Sequence, residues 1–281
     1  MRTITIRLLK AMGDVLYAEP VIRALKTQCD LIHFHTEYPF LFENYPKVIV
    51  KKCDRKLPKP TPPNYINLQS VYVNNFWDNN DFKYVTSCYL EHLSNLQFEH
   101  SEIDLRPQIH MTKAEIKWAA NVLVRGKYMV VDVGYKHIMN FETEIWNSLF
   151  DKLKKIGWKI VVIGTSEGHC KNNQKLRVDL DLRGKTNGRQ LLAIIHQSDF
   201  FLGVESGPFV VAMSFDKEGI LLSGITQTDL ILLPDSKITP ISCCDGIIKG
   251  HRTLRYRRKP SKRKHILNSL YFPEEEIMGA L

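Results

Sequence analysis

The sequence lacks any C-x-x-C pair and any apolar run near the roughly 18 residues that a membrane-spanning helix requires. Its six cysteines are scattered, so a structural zinc site or a redox motif has little support and we expect free thiols in a reducing compartment. Arg2, Arg7, Lys10 and Asp14 interrupt the first apolar stretch, which argues against a cleaved signal peptide. We therefore expect a soluble cytoplasmic protein, or one in the host cytoplasm if the source is viral.

Phosphate-loop and metal-ligand motifs are also missing. The Gly-Lys-Thr tripeptide at 184–186 resembles the end of a P-loop, but Asp179 stands where that motif needs its first glycine. Asp179 and Asp181 would share a strand face, yet such pairs arise often by chance in an acidic stretch. His33 and His35 would also share a face but have no third ligand. The sequence therefore predicts no metal site and no cofactor.

The composition is that of a folded protein with a substantial core. Hydrophobic residues make up 44% of the chain and aromatic residues 10%. A length of 281 residues suffices for two domains of ordinary size or for one large domain.

Apolar strands alternate with amphipathic helices along the chain, which predicts an α/β fold with parallel sheets covered on both faces. The alternation is most regular after a helix that opens with a Thr112-to-Glu115 capping box and ends at Gly126. We therefore predict an N-terminal domain at 1–125, a second domain at 126–250 and a basic C-terminal segment at 251–281. Strands that run into glycine, where backbone can approach a ligand, would line one rim of the second sheet, at Gly134, Gly164, Gly203 and Gly224.

Gly13 and Asp14 lie between the strand-like run at 3–9 and a helix-like run that contains Val21, Ile22 and Leu25. Open α/β sheets place ligands at such a junction. An acid there is either a charge at a helix start or a catalytic group.

The stretch "GVESGPFVVAM" at 203–213 predicts a second ligand-binding junction. A strand ends, Glu205 and Ser206 follow, and Gly207-Pro208 opens a helix. Proline suits a first helical position, and the free amides there suit an anion such as a diphosphate. A plain strand-to-helix turn would have the same pattern.

Three stretches, in order along the chain, resemble the heptosyltransferase-like glycosyltransferases of family 9. The first is "GDVLYAEPVIRALK", from Gly13 onward. The second is "GYKHIMNFETEIWNSLFDKLKKIGWKIVVIGTSE", and the third is "DLRGKTNGRQLLAIIHQSDFFLGVESGPFVVAM". Together they cover about half of the chain.

The resemblance implies a GT-B architecture, in which two Rossmann-like domains face each other across a cleft. The donor, a nucleotide-diphosphate sugar, would bind the C-terminal domain and the acceptor the N-terminal domain. The sugar carbon would be inverted without an obligatory metal, and Asp14 would be the base that takes the acceptor proton. The residues that would contact the donor are Gly134, Lys136, Gly164, Glu167, Lys185, Glu205, Ser206 and Gly207.

Two positions depart from the family pattern. The family turn usually has Asp where this chain has Glu205, and often has a histidine where this chain has Val210. The missing histidine argues against ADP-heptose as donor. Because Asp14 and Ser206-Gly207 remain, a changed sugar or nucleotide is favoured over an inactive enzyme.

A tract of eight Lys and Arg residues without an acid lies between 252 and 264, and the net charge of +9 would be +1 without it. The tract predicts contact with a polyanion, or it is a solvated face. If the C-terminal segment returns towards the N-terminal domain, the tract would border the acceptor site. The acceptor residues would then be Gly13, Arg252, Arg255, Tyr256, Arg257 and Arg258.

Two acceptors fit a basic tract, and we favour the first. One is DNA with a hydroxymethylated pyrimidine, as bacteriophages modify it, flipped out to reach Asp14, with Tyr256 stacking on a base. The other is a phosphorylated lipopolysaccharide core at an anionic membrane surface. A third hypothesis is a non-catalytic nucleic-acid-binding module on the same fold.

Overall fold

The computed structural model describes residues 2–53, 64–72, 83–98, 103–134, 141–165, 175–224, 228–243 and 271–281. The chain divides into two units: unit 1 is Met1–Thr112 with Asp229–Leu233, and unit 2 is Lys113–Thr228 with Pro234–Leu281. The division at Thr112 precedes the helix that the predicted boundary at 125 placed in the first domain. Among the described residues, no helix has the length and apolarity needed to cross a membrane.

Unit 1 is built on a four-stranded parallel sheet in the order β3-β2-β1-β4. Its elements in chain order are β1 (Thr3–Leu8), α1 (Met12–Leu16), α2 (Glu19–Leu25), β2 (Leu31–Thr36), β3 (Val48–Lys52), β4 (Tyr65–Asn67) and α3 (Val85–Asn95). Short 3-10 turns lie at Pro39–Phe42 and Thr228–Leu230. β1 is central, and its side chains from Ile4 to Leu8 are buried on both faces of the sheet.

Two helices follow β1, and Gly13 and Asp14 lie within the first of them, whereas the sequence predicted them in the join before one helix. α1 ends at Leu16, Tyr17 is its C-cap, and α2 begins two residues later with Pro20 in its first turn. Proline has no amide hydrogen to donate and fits the first turn of a helix, so it favours a new start there. Asp14 is thereby carried on a separate helix of five residues.

Unit 2 contains a six-stranded parallel sheet in the order β10-β9-β8-β5-β6-β7. Its elements in chain order are α4 (Lys113–Val122), β5 (Lys127–Asp132), α5 (Thr143–Lys155), β6 (Trp158–Ile163), β7 (Leu180–Asp181), α6 (Gly188–Gln197), β8 (Phe200–Val204), α7 (Gly207–Ser214), β9 (Gly219–Ser223), β10 (Ile238–Ser242) and α8 (Glu274–Gly279). β8 and β9 are buried along their whole length, as expected for strands covered on both faces. Two parallel sheets were predicted, and the structure confirms them.

α4 belongs to unit 2 because it packs on α6. Arg189 Nε and Nη2 donate to the two carboxylate oxygens of Glu115 at 2.6 Å and 2.8 Å. The helix ends at Val122, before the Gly126 stop that the sequence predicted, and Gly126 has a φ of 155°. A side chain at position 126 would be strained by this positive φ and would also meet the end of the Lys159 side chain, so the position favours glycine.

The described end of the C-terminal segment packs on unit 2. Ile277 of α8 is fully buried in the core that also contains Trp146, and Phe272 packs against that core. The rings of Phe272 and Trp146 meet edge-to-face with centroids 5.0 Å apart. Residues 244–270 of the segment lie outside the described part of the chain.

Candidate functional site

Both sheets have a point where neighbouring strands are connected in opposite directions, and open α/β sheets bind ligands at such points. In unit 1 it lies between β1 and β4, because β1 pairs with β2 on one side and β4 on the other. In unit 2 it lies between β5 and β8, which pair in parallel with Asp132 opposite Gly203. Asp14 follows β1, and Glu205-Ser206-Gly207 follows β8. Both predicted motifs are therefore at the carboxyl edges where ligands are expected.

Asp14 lies in the first turn of α1, partly exposed beside the buried Gly13. The loop before it is tied to the end of β4: Leu9 N donates to Gln69 Oε1 at 2.8 Å, and Gln69 Nε2 donates to the Leu9 carbonyl at 2.9 Å. Tyr17 N donates to the Gly13 carbonyl at 3.0 Å and closes the turn that carries the acid. These bonds fix the backbone on both sides of Asp14.

A buried phenol lies near Asp14. Burial raises the pKa of Tyr89 well above its usual range, and the negative charge of Asp14 raises it further. The Tyr89 hydroxyl has no hydrogen-bond partner among the described residues. The Tyr72 ring packs edge-to-face on Tyr89, and the Lys10 ammonium lies 5.6 Å from the centroid of that ring. Tyr72 and Tyr89 therefore form an aromatic pair near the acid.

The β8–α7 turn has the geometry of a capped helix start. Ser206 is the N-cap, and Phe209 N donates to its hydroxyl oxygen at 3.4 Å. The Glu205 carboxylate is held by two hydrogen bonds. Its Oε1 accepts from Gly224 N at 3.0 Å and from Ser223 Oγ at 3.3 Å. The turn is thus bound to the end of β9, and the amide of Gly207 at the helix start remains a candidate anion donor.

Asp132, which the sequence reasoning missed, is the last residue of β5 and only 5% exposed. Burial raises the pKa of Asp132 to about 6, while hydrogen bonds from Ser206 and from the Gly134 amide lower it. The Gly134 N to Asp132 Oδ1 distance is 3.3 Å. The signal that could have found it is an acid at the end of the apolar strand "MVV", where a ligand-facing edge was expected.

The other residues predicted to contact the donor differ in where they lie and in what they contact. Gly134 and Gly164 both have a φ of 134° at the ends of β5 and β6, which favours glycine. Lys185 Nζ donates to the Asp181 carbonyl at 2.7 Å. Gly203 is the next-to-last residue of β8, and Gly224 directly follows β9.

The acidic pair Asp179 and Asp181 has structural partners. Ile160 N donates to Asp179 Oδ2 at 2.8 Å, and the Arg183 guanidinium binds both carboxylate oxygens of Asp181 at 2.9 Å and 2.6 Å. Arg183 holds the pKa of Asp181 below its usual range, against the opposing effect of burial. Within the described ranges, no group of three His, Cys, Asp or Glu side chains could hold a metal ion.

Several predicted site residues fall outside the described part of the chain. On the donor side these are Lys136 and Glu167. On the acceptor side they are Arg252, Arg255, Tyr256, Arg257 and Arg258. Val210, where the family often has histidine, is 3% exposed within α7 and packs in the interior.

A scan against protein families matches residues 93–242 to the family described as glycosyltransferase family 9 (heptosyltransferase). The match spans 150 residues, more than half of the chain. It runs from the end of α3 through β10 and so includes the whole carboxyl edge of the second sheet. A search of curated proteins finds no sequence match.

Solved structures share the fold at low sequence identity. A family 9 glycosyltransferase from Veillonella parvula DSM 2008 has a TM-score of 0.76 and 13% identity, over 99% of this chain and 96% of that one. The E. coli ADP-heptose LPS heptosyltransferase II has a TM-score of 0.59 and 13% identity, over 94% and 98%. The iron-containing dodecameric heptosyltransferase TibC of enterotoxigenic E. coli, solved with ADP-D-beta-D-heptose, has a TM-score of 0.62 and 15% identity, over 95% and 75%. The predicted GT-B fold class is confirmed by these likenesses.

Proposed function

Because the chain belongs to glycosyltransferase family 9 and is a nucleotide-sugar-dependent glycosyltransferase, we propose that Asp14 is its catalytic base and that the β8–α7 turn holds the donor diphosphate. The observation that carries this proposal is the position of both groups. Each follows a strand of a parallel sheet at the point where the connections reverse. Family membership makes a non-catalytic module the weaker hypothesis.

The chemistry is a direct displacement at the anomeric carbon. The acceptor oxygen forms a bond to that carbon from the side opposite the diphosphate, and its proton passes to the Asp14 carboxylate. The bond between the anomeric carbon and the diphosphate oxygen breaks, and the nucleoside diphosphate leaves with the electron pair. The configuration of the sugar is inverted.

The leaving diphosphate gains negative charge as it departs, so preformed donors lower the barrier. Ser206 and the amide of Gly207 at the start of α7 are such donors in unit 2, and the helix dipole adds to their effect. Gly134 and Gly164 let the nucleotide lie close to the backbone at the ends of β5 and β6. Glu205 braces the turn through its bonds to the end of β9.

For the acceptor, we infer a phosphorylated saccharide of the lipopolysaccharide kind. Support comes from the E. coli heptosyltransferase II, which is named for lipopolysaccharide. A DNA acceptor is the second candidate, and its support is the basic tract at 252–264. The buried Val210 in place of the family histidine supports a donor other than ADP-heptose.

The test is a matrix of donors and acceptors. The protein is incubated with ADP-, GDP-, UDP-, CDP- and dTDP-sugars, each with deacylated lipopolysaccharide and with hydroxymethylcytosine DNA, and products are identified by mass. We expect one nucleotide sugar to give a product that carries a single added sugar on the saccharide. Transfer to DNA alone would reverse the choice of acceptor, and no transfer with any pair would contradict the proposed function.

The role of Asp14 is tested separately with Asp14→Asn. We expect kcat to fall by roughly a hundredfold to ten-thousandfold, the usual contribution of a general base, with donor affinity retained. Asp30→Asn is the matched control, because Asp30 is an exposed acid of the same unit whose Oδ2 accepts from Arg2 N at 2.7 Å. If Asp30→Asn lost as much activity as Asp14→Asn, the loss would not be specific to Asp14 and its proposed role as the base would be contradicted.

A further inference from the structure

Asp132 is a buried acid at the place proposed for the donor diphosphate. Its partners in register are Gly203 of β8 and Ile163 of β6, neither of which is charged. A methyl group on Gly203 would lie 2.7 Å from the Phe201 ring and 3.1 Å from the Asp132 Cβ, so the glycine leaves room for both side chains. The carboxylate accepts from the Gly134 amide and the Ser206 hydroxyl.

The Ser206 hydroxyl therefore lies between two groups. It donates to Asp132, and its oxygen accepts from Phe209 N at the start of α7. Ser206 has only one hydrogen to donate. While that hydrogen is bound to an ionised Asp132, it is not available to a phosphate oxygen, and a phosphate placed at the helix start would face a buried negative charge.

No described cation compensates that charge. Burial raises the pKa of Asp132 and the two hydrogen bonds lower it, and no charged side chain is among the causes. The described charged groups on the neighbouring elements have partners of their own or lie exposed. They are Glu205, bound to the end of β9, Asp181 with Arg183, Lys185 on a carbonyl, and the exposed Glu142 and Glu144 at the start of α5.

We propose that Asp132 is a positioning residue that takes up a proton when the diphosphate of the donor binds, which frees the Ser206 hydroxyl for the phosphate. This inference rests on the proposed donor site. The proton comes from solvent, and the neutral carboxyl group no longer repels the anion. Donor binding is then linked to pH through one named group.

Donor affinity should fall as the pH rises, because the ionised Asp132 and the diphosphate are both negatively charged. With a pKa of about 6, Asp132 is mostly ionised at pH 7 in the free protein. A bound diphosphate disfavours the ionised form, so binding raises the pKa of Asp132 and weakens as the pH rises. If binding raises that pKa by about one unit, the Kd increases roughly fivefold between pH 6 and pH 8.

The test uses the nucleotide sugar itself, because its diphosphate is esterified at both ends and has no group that titrates near neutral pH. Kd is measured by calorimetry at pH 6, 7 and 8, and at pH 7 in two buffers of different ionisation enthalpy. We expect the wild type to take up a fraction of one proton per donor and to lose affinity at pH 8. Asp132→Asn should bind with no proton uptake and no dependence on pH.

Two further variants separate this role from a structural one. Ser206→Ala should bind the donor more weakly at every pH but still take up the proton. Asp199→Asn changes an acid at the opposite end of β8, where its Oδ2 accepts from Tyr128 N at 2.8 Å, and should behave as wild type.

The contrary outcomes are distinct. Donor binding without proton uptake in the wild type would overturn the role of Asp132 while leaving the proposed function intact, and this result does not depend on the folding of any variant. Proton uptake that persists in Asp132→Asn would assign the proton to another group and would also overturn the inference. If no nucleotide sugar binds at any pH, the donor site itself is refuted and this inference fails with it.

Discussion

Replacing Asp132 by Asn should stabilise the folded protein at neutral and alkaline pH. The pKa of Asp132 is raised from 3.8 to about 6 by burial, so its ionisation opposes folding. A folded-state value above the unfolded one means that stability is greatest below pH 4 and is lost as the pH rises through 6. The shift of about two units corresponds to roughly 3 kcal/mol at pH 8, at 1.36 kcal/mol per unit. Little of this is screened by solvent, because Asp132 is 5% exposed.

Asparagine keeps the shape and can still accept from the Gly134 amide, while its own amide group can donate to the Ser206 oxygen. Urea unfolding of both proteins at pH 4, 6 and 8 gives the difference in the free energy of unfolding. We expect the two proteins to be similar at pH 4 and Asp132→Asn to be more stable by up to about 3 kcal/mol at pH 8. Other titrating groups contribute to both proteins and cancel in the difference. An Asn variant that is less stable than wild type at pH 8, with unchanged m values, would refute the reasoning.

Three other substitutions test the remaining parts of the structure. Tyr89→Phe removes a buried hydroxyl with no hydrogen-bond partner among the described residues, so the free energy of unfolding should rise by roughly 1 kcal/mol; a clear fall would mean that the hydroxyl has a partner. Gly219→Ala places a methyl group 2.5 Å from the Phe201 carbonyl oxygen and should destabilise unit 2 by roughly 2 kcal/mol in urea unfolding, whereas wild-type stability would contradict the close approach. Glu115→Ala removes the carboxylate that binds the guanidinium of Arg189, which is 8% exposed, and should cost roughly 2 to 4 kcal/mol; a cost below 1 kcal/mol would show that α4 is held by other contacts.

Local signals were sufficient for most elements of unit 2. The apolar runs of β5, β6, β8 and β9 are separated by glycines and amphipathic helices, so each strand could be recognised by itself. Helix α6 begins where the sequence predicts, because Asn187 and Gln190 form a reciprocal capping box. Ser206 and Pro208 mark the start of α7 in the same way.

Features that depend on strand order could not be predicted. Asp132 and Ser206 are distant in sequence, and they meet because β5 pairs with β8 and places Asp132 opposite Gly203. No local pattern in the sequence indicates that β5 and β8 are neighbours in the sheet. The short helix α1 was missed for another reason: the helical spacing of Val21, Ile22 and Leu25 lies wholly within α2, and the five residues of α1 are too few to show a period of their own.

The short passage Asp229–Leu233 shows that the two folding units do not correspond to two halves of the coding sequence. It lies between β9 and β10 in the chain, yet it belongs to unit 1. There the Tyr17 hydroxyl donates a hydrogen bond to the Ile231 carbonyl at 2.6 Å. A gene fragment that stops at Thr112 would therefore encode a first unit with that phenol deprived of its acceptor. The fragment that begins at Lys113 would contain Asp229–Leu233 between β9 and β10, at the edge of its sheet, without the unit to which that passage belongs. Dividing the chain at Thr112 is thus a poor way to study either unit, and point substitutions in the undivided chain are the sound alternative.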